Sequence, residues 1–164
     1  MSFLNSVLKA FVGDKKSKDL KELQPLVDQV RSYDKAMEGL SIEELRQKTT
    51  DFKKQIAEAI KPFEEQISAL NIELEAADID RKEAIYKEID HLRDESYESS
   101  EQVLEQIQSE AFAVMRETSR RFANNQTLRV KATPFDRELS VKDYVNLEGD
   151  DAIWSNTWDA AGKP

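Results

Sequence analysis

The residues able to do chemistry are few, and their spacing decides what they can be. The single histidine sits in Glu88-Ile-Asp-His91, the Glu-x-x-His spacing of di-iron carboxylate bundles. Such a centre needs that motif twice, with further glutamates from two other helices. Here it occurs once, among acids of a generally charged segment, so His91 reads as a surface or helix-seam residue. With one histidine and no cysteine, neither a zinc site nor a histidine-based triad can be assembled. The paired acids Asp78/Asp80 and Asp150/Asp151 fit turn and cap positions. Four glycines (Gly13, Gly39, Gly149, Gly162) are too scattered for a phosphate-cradling loop. Gly162-Lys163 lacks both the preceding glycine and the following Ser/Thr of a P-loop. No catalytic, cofactor-binding or metal residue is assigned, and the chain is expected neither to bind nor to hydrolyse ATP.

Composition narrows the class further. The chain has 164 residues, enough for one domain. Charged residues make up 35% and hydrophobic ones 39%, a balance that suits long solvated helices. The aromatics, with two Trp and seven Phe, are too many for a disordered acidic tail. A net charge of −9 argues against nucleic acid as a partner, because phosphate contacts need clustered Lys and Arg. The charge is uneven: residues 1–18 hold four lysines against Asp14, a local +3, which leaves −12 on the remainder. The lack of cysteine fits a reducing compartment. No apolar run approaches the ~20 residues that span a bilayer, and the start does not resemble a signal peptide. A cytoplasmic protein is the simplest expectation.

The elements that must position these residues are mostly helical. A short amphipathic helix is predicted over 3–12, with Phe3, Leu4, Val7, Leu8 and Phe11 in one apolar arc and Gly13 as its stop. Lys9 lies on the other side, and Lys15, Lys16 and Lys18, just beyond the helix, complement its dipole. This segment is the candidate contact site. Its apolar face either packs on the protein or a neighbouring subunit, or dips into a membrane interface while the lysines meet anionic headgroups. A second helical stretch over 18–38 places Leu20, Leu23, Leu26, Val27, Val30, Tyr33 and Met37 on one side, with Pro25 as a kink or true start. Ser41-Ile-Glu-Glu44 has the form of a capping box.

The clearest periodic signal follows. Leu45, Thr49, Phe52, Ile56, Ile60, Phe63, Ile67, Leu70 and Leu74 recur by threes and fours, continuous across Pro62. A tip is predicted near 75–81, with Asp80 and Glu83 opening a return helix that carries Ile85, Ile89, Leu92, Val103, Ile107 and Val114. The two should form a long antiparallel hairpin, weakest or closest at Ser96 and Ser99 on its seam. Past Arg121, Thr127–Lys131 alternates like a strand, and Tyr144–Leu147 with Ala152–Trp154 reads as a β-hairpin turning at Gly149. The expected fold is mainly α with a small β part (α+β). Its parts are a basic amphipathic helix over 1–17, a helical region over 18–122 and an extended or β segment over 123–164.

Two blocks resemble a known family. Leu40-Ser-Ile-Glu-Glu-Leu-Arg-Gln-Lys-Thr49 is similar to an early helix of SecA, the motor of the bacterial Sec pathway. Glu110-Ala-Phe-Ala-Val-Met-Arg-Glu-Thr-Ser-Arg-Arg121 resembles the block that leads toward its first nucleotide-binding domain. The resemblance implies the N-terminal region of an ATP-driven preprotein translocase, with ATP and magnesium handled elsewhere in the whole protein. It further implies acidic phospholipid, a SecYEG-type translocon, preprotein and a second SecA copy as partners, at the inner face of the cell membrane. Residues 60–106 are longer than the usual SecA connection, as in forms with an inserted helical hairpin, and 127–160 read as an inserted β segment. The rival from another class is a stand-alone coiled-coil adaptor.

Overall fold

The structure is a computed structural model that describes residues 3–157, with side chains from residue 17 onward. Its elements run α1 (Phe3–Ser32), α2 (Asp34–Glu38), α3 (Ile42–Ala76), α4 (Ile79–Asn124), β1 (Thr127–Lys131), α5 (Pro134–Leu139), β2 (Val145–Glu148) and β3 (Asp151–Ser155). The expected α+β composition is found.

Helices α3 and α4 form the antiparallel hairpin, and the predicted stripes meet along its seam. Ile85 and Ile89 are buried near the tip, with Leu92 below them; Leu45, Phe52, Ile107 and Val114 are buried at the base. Thr49, counted in the stripe, is exposed. Pro62 lies inside an unbroken α3. The return helix begins two residues earlier than its sequence signal, because Asp78, not Asp80, is the cap: its side chain accepts from the Arg81 backbone N–H at 2.9 Å. At the predicted close point, the Ser99 hydroxyl donates to the Ala59 carbonyl across the seam at 3.3 Å. A small side chain there lets one helix reach the backbone of the other.

The N-terminal helices differ from expectation. Gly13 does not stop a helix; α1 runs through it, and through Pro25, to Ser32. One glycine costs a helix interior only about 1 kcal/mol, which neighbouring turns can absorb. The break falls at Tyr33, before the single turn and a half of α2. The apolar side read over 18–38 is also only partly used. Val30, Tyr33 and Met37 pack into the base of the hairpin, whereas Leu20 and Leu23 remain 59% and 56% exposed.

Capping chemistry sets the start of α3. The Ser41 hydroxyl accepts from the Glu44 N–H at 3.2 Å, and the Ser41 N–H donates to the Glu44 carboxylate at 2.7 Å, so two end amides are satisfied reciprocally. That hydrogen bond from the Ser41 backbone holds the Glu44 carboxyl below its usual range.

After α4 the strands form one antiparallel sheet of order β1-β3-β2. The β2–β3 hairpin turns at Gly149-Asp150, where Gly149 takes φ +62°, a conformation that suits a residue without Cβ. A third strand extends the hairpin: β1 pairs along β3 from Thr127↔Ser155 to Lys131↔Asp151. Val130, Val145 and Ala152 make the sheet's own small core, closed by Ile42 from α3. Between β1 and β2 lies α5, which the sequence reading missed.

Candidate functional site

The two sequence blocks singled out above are brought face to face at the base of the hairpin. Lys48, near the end of the first block, donates to Glu110, the first residue of the second, at 2.7 Å. This bond raises the lysine's pKa above its ordinary value. Ala113 and Val114 of the second block are buried in the core that also takes Met37, Leu45 and Phe52. Leu40 and Leu45 of the first block and Ala111, Ala113 and Val114 of the second thus share one core, while Phe112 and Met115 stay exposed.

The second block also fastens α1 and α2. Arg116 grips both carboxylate oxygens of Asp34, at 2.8 and 2.6 Å, from the first turn of α2. The next residue, Glu117, is buried and accepts from Arg120 at 2.6 and 2.8 Å and from Arg121 at 2.6 Å. The Arg120 hydrogen bond, aided by Arg121 and opposed by burial, holds the Glu117 carboxyl below its usual range. Arg121 then reaches the Met37 and Leu40 carbonyl oxygens at 3.2 and 2.7 Å. Those acceptors lie at the end of α2 and in the turn beyond it, where the Met37 oxygen also accepts from the Leu40 N–H at 3.2 Å and the guanidinium supplements the end carbonyls. A guanidinium suits this task because its fork of donors serves a carboxylate and two carbonyls at once.

The first block ties the β appendage to the hairpin. Arg46 donates to the Lys131 carbonyl at 3.1 Å and to Asp136 at 2.7 Å. Asp136 is fully buried. Besides Arg46, it accepts from the Thr133 N–H at 2.7 Å, the Thr133 hydroxyl at 2.6 Å and the Trp154 indole N–H at 3.0 Å. Burial alone would raise its pKa, but the Thr133, Arg46 and Trp154 hydrogen bonds outweigh that and bring it down to about 2. One carboxylate thereby joins α3, α5 and β3. A sequence signal for this existed, since Thr133-Pro-Phe-Asp136 is a capping box with proline at the first helical position.

These polar groups hold elements together; Arg46, Arg121 and Trp154 also line an apolar pocket between the hairpin base and the sheet, and Arg116, Glu117 and Arg120 line a smaller one beside Asp34. Among the described residues, no group of three His, Cys, Asp or Glu side chains could hold a metal. His91 lies on the surface of α4 with Glu95 at 3.8 Å. No helix of the described residues is long and apolar enough to cross a membrane. The backbones of the contact candidates Phe3, Leu4, Val7, Leu8, Lys9, Phe11, Lys15 and Lys16 lie in α1. Their side chains fall outside the described residues; Lys18 is exposed. Gly162-Lys163 also lies outside them.

Comparison with known proteins matches the SecA DEAD-like domain family over residues 8–136. A protein translocase subunit SecA of Christiangramia forsetii is 60% identical over all of this chain and 15% of its own length. That of Flavobacterium psychrophilum is 48% identical over 99% of the chain and 15% of its own. That of Porphyromonas gingivalis is 39% identical over 96% of the chain and 14% of its own. The chain therefore spans about 15% of the length of these relatives. No solved structure matches it. The relatives align across both the hairpin and the β segment, which leaves the stand-alone adaptor disfavoured. A family match over most of its length and relatives aligned over nearly all of it place the chain in the SecA family of protein translocase subunits.

Proposed function

We propose that this chain is the bracing segment of an ATP-driven preprotein translocase motor, with the nucleotide site outside these 164 residues. The observation that supports this most is how the two family-like blocks use their polar side chains. Lys48, Glu110, Arg116, Glu117 and Arg121 are committed to one another and to the ends of neighbouring helices. Such groups stiffen a support and leave no donor set for a triphosphate. On this reading ATP and its magnesium bind the remainder of the subunit, and preprotein and a SecYEG-type translocon are contacts of the whole protein.

The basic amphipathic start of α1 is assigned to the inner membrane face. Apolar burial of Phe3, Leu4, Val7, Leu8 and Phe11 supplies most of the attraction. Each lysine near an anionic surface adds on the order of 1 kcal/mol. The acidic remainder opposes approach, so binding is weak and sensitive to salt. Two measurements test the proposal. Calorimetric titration of this chain with magnesium and ATP is flat; saturable binding at micromolar nucleotide defeats the bracing reading. The chain sediments with vesicles rich in acidic lipid and not with neutral ones, and loses this on deletion of residues 2–12. Equal sedimentation with and without those residues defeats the membrane assignment.

A further inference from the structure

The inserted arm of the hairpin carries a surface that the bracing role does not use. Residues 60–106 contain five basic residues against fourteen acidic ones, a local net charge of −9 that equals that of the whole chain. On the arm's α4 face, off the seam, Tyr86 and Tyr97 stand 55% and 65% exposed. Exposed tyrosines on an isolated two-helix arm gain nothing for the hairpin itself.

Their surroundings repeat. Tyr86 has Glu83 three residues before it and Asp90 four residues after; Tyr97 has Asp94 and Glu101 at the same offsets. Residues three and four apart share a helix face, so each ring is flanked by two carboxylates. Eleven residues separate the two units, which leaves them within about 20° on one side of α4 and about 16 Å apart along it. In the first unit, Glu83 pairs with Lys87 and Asp90 with Arg93, at 2.7 and 3.2 Å. In the second, Asp94 and Glu101 form no ion pair among the described residues. A tyrosine ring between carboxylates is a receptor for a cationic side chain, through its π face and the flanking charges together.

We propose that this face of α4 docks a basic segment of another protein whose cationic side chains lie about 16 Å apart, either eleven residues apart on a helix or about five apart on an extended strand. Charge complementarity selects this occupant. The same fourteen carboxylates repel an anionic membrane or a nucleic acid, and the exposed rings give the contact more than diffuse attraction. The second unit, with its carboxylates free, is the stronger anchor.

The test follows the α4 backbone amide signals of the full chain by NMR. The probe is a 20-residue alanine–glutamine helical peptide bearing two arginine pairs eleven residues apart. A peptide of the same composition with its arginines clustered is the reference. The spaced peptide binds at least five-fold tighter than the clustered one. Asp94→Asn with Glu101→Gln weakens it at least five-fold, and Tyr86→Ala with Tyr97→Ala about three-fold. Glu88→Gln with Glu95→Gln removes the same charge from the opposite side of α4 and weakens it less than two-fold, because separation and salt screen it. All these positions are exposed, and equal melting temperatures verify folding. Equal losses for the two carboxylate pairs, or no preference for spacing, overturn the proposal. So does concentration-dependent dimerisation abolished by Asp94→Asn with Glu101→Gln, which would assign the face to a second copy. Binding of acidic-lipid vesicles through Tyr97 would equally overturn it.

Discussion

Replacing Asp136 with asparagine keeps the side chain's shape and removes its charge, at the point where three elements meet. The carboxylate is fully buried and takes hydrogen bonds from the Thr133 backbone and hydroxyl, from Arg46 and from Trp154. Its pKa is lowered from 3.8 to about 2. A shift of this size corresponds to roughly 2 kcal/mol of stability carried by the ionised form. Because the folded-state pKa is depressed, that contribution is fully present above about pH 4 and is lost as pH falls through 2. The variant Asp136→Asn presents one oxygen and a donating amide to a set of groups that all donate. It should lose about 2 kcal/mol at pH 6. Arg46 is partly exposed and can turn to water, which keeps the loss below the 3–5 kcal/mol of a fully stranded charge. Urea unfolding followed by tryptophan fluorescence, with Trp154 hydrogen-bonded to the altered group, reads the effect at a series of pH values. Other carboxylates titrate in both proteins, so the informative quantity is the difference between them. That difference shrinks toward zero between pH 4 and 2. A gap that stays constant across this window would refute the assignment of the stabilisation to the ionised Asp136.

Three further outcomes follow from the packing. Arg121→Met strips Glu117 of one of its two cations, leaves the Leu40 carbonyl without its guanidinium donor and the Met37 carbonyl with backbone N–H donors alone, and should cost about 3 kcal/mol in chemical denaturation; a loss under 1 kcal/mol would mean water replaces it freely. Ile85→Ala empties the best-buried position of the arm and should cost about 3 kcal/mol, while Tyr86→Ala beside it changes stability by less than about 0.5 kcal/mol; equal melting temperatures would misplace the seam. Gly149→Ala meets no neighbouring atom but must adopt φ +62°, so a loss of about 1 kcal/mol, confined to the sheet's amide exchange, measures backbone strain alone.

The hairpin was legible because its stripe repeats over many turns, so a misplaced residue such as exposed Thr49 does not disturb the pattern. The Ser41 capping box was legible because its chemistry is local. The end of α1 was not. A glycine stops a helix only where the following residues have nothing to gain by continuing, and that depends on partners the sequence does not display. The exposure of Leu20 and Leu23 has the same origin, since periodicity shows that a face exists without showing what covers it. Helix α5 was missed although Thr133 and Asp136 carry the same local signal as Ser41 and Glu44; alternation on both sides drew the segment into a β reading. The polar ties that join the two blocks to each other and to α2 were legible only as a resemblance. Pairs such as Lys48–Glu110 and Arg116–Asp34 lie 62 and 82 residues apart, beyond the reach of any spacing rule.

The central claim is that the clasp between residues 40–49 and 110–121 braces a motor whose nucleotide site lies elsewhere in the subunit. Preprotein-stimulated ATP hydrolysis by the whole translocase subunit, with and without Arg121→Met, measures this most directly. The account predicts that the variant still binds ATP with wild-type affinity but loses most of its preprotein stimulation; full stimulation together with a demonstrably loosened clasp would contradict it.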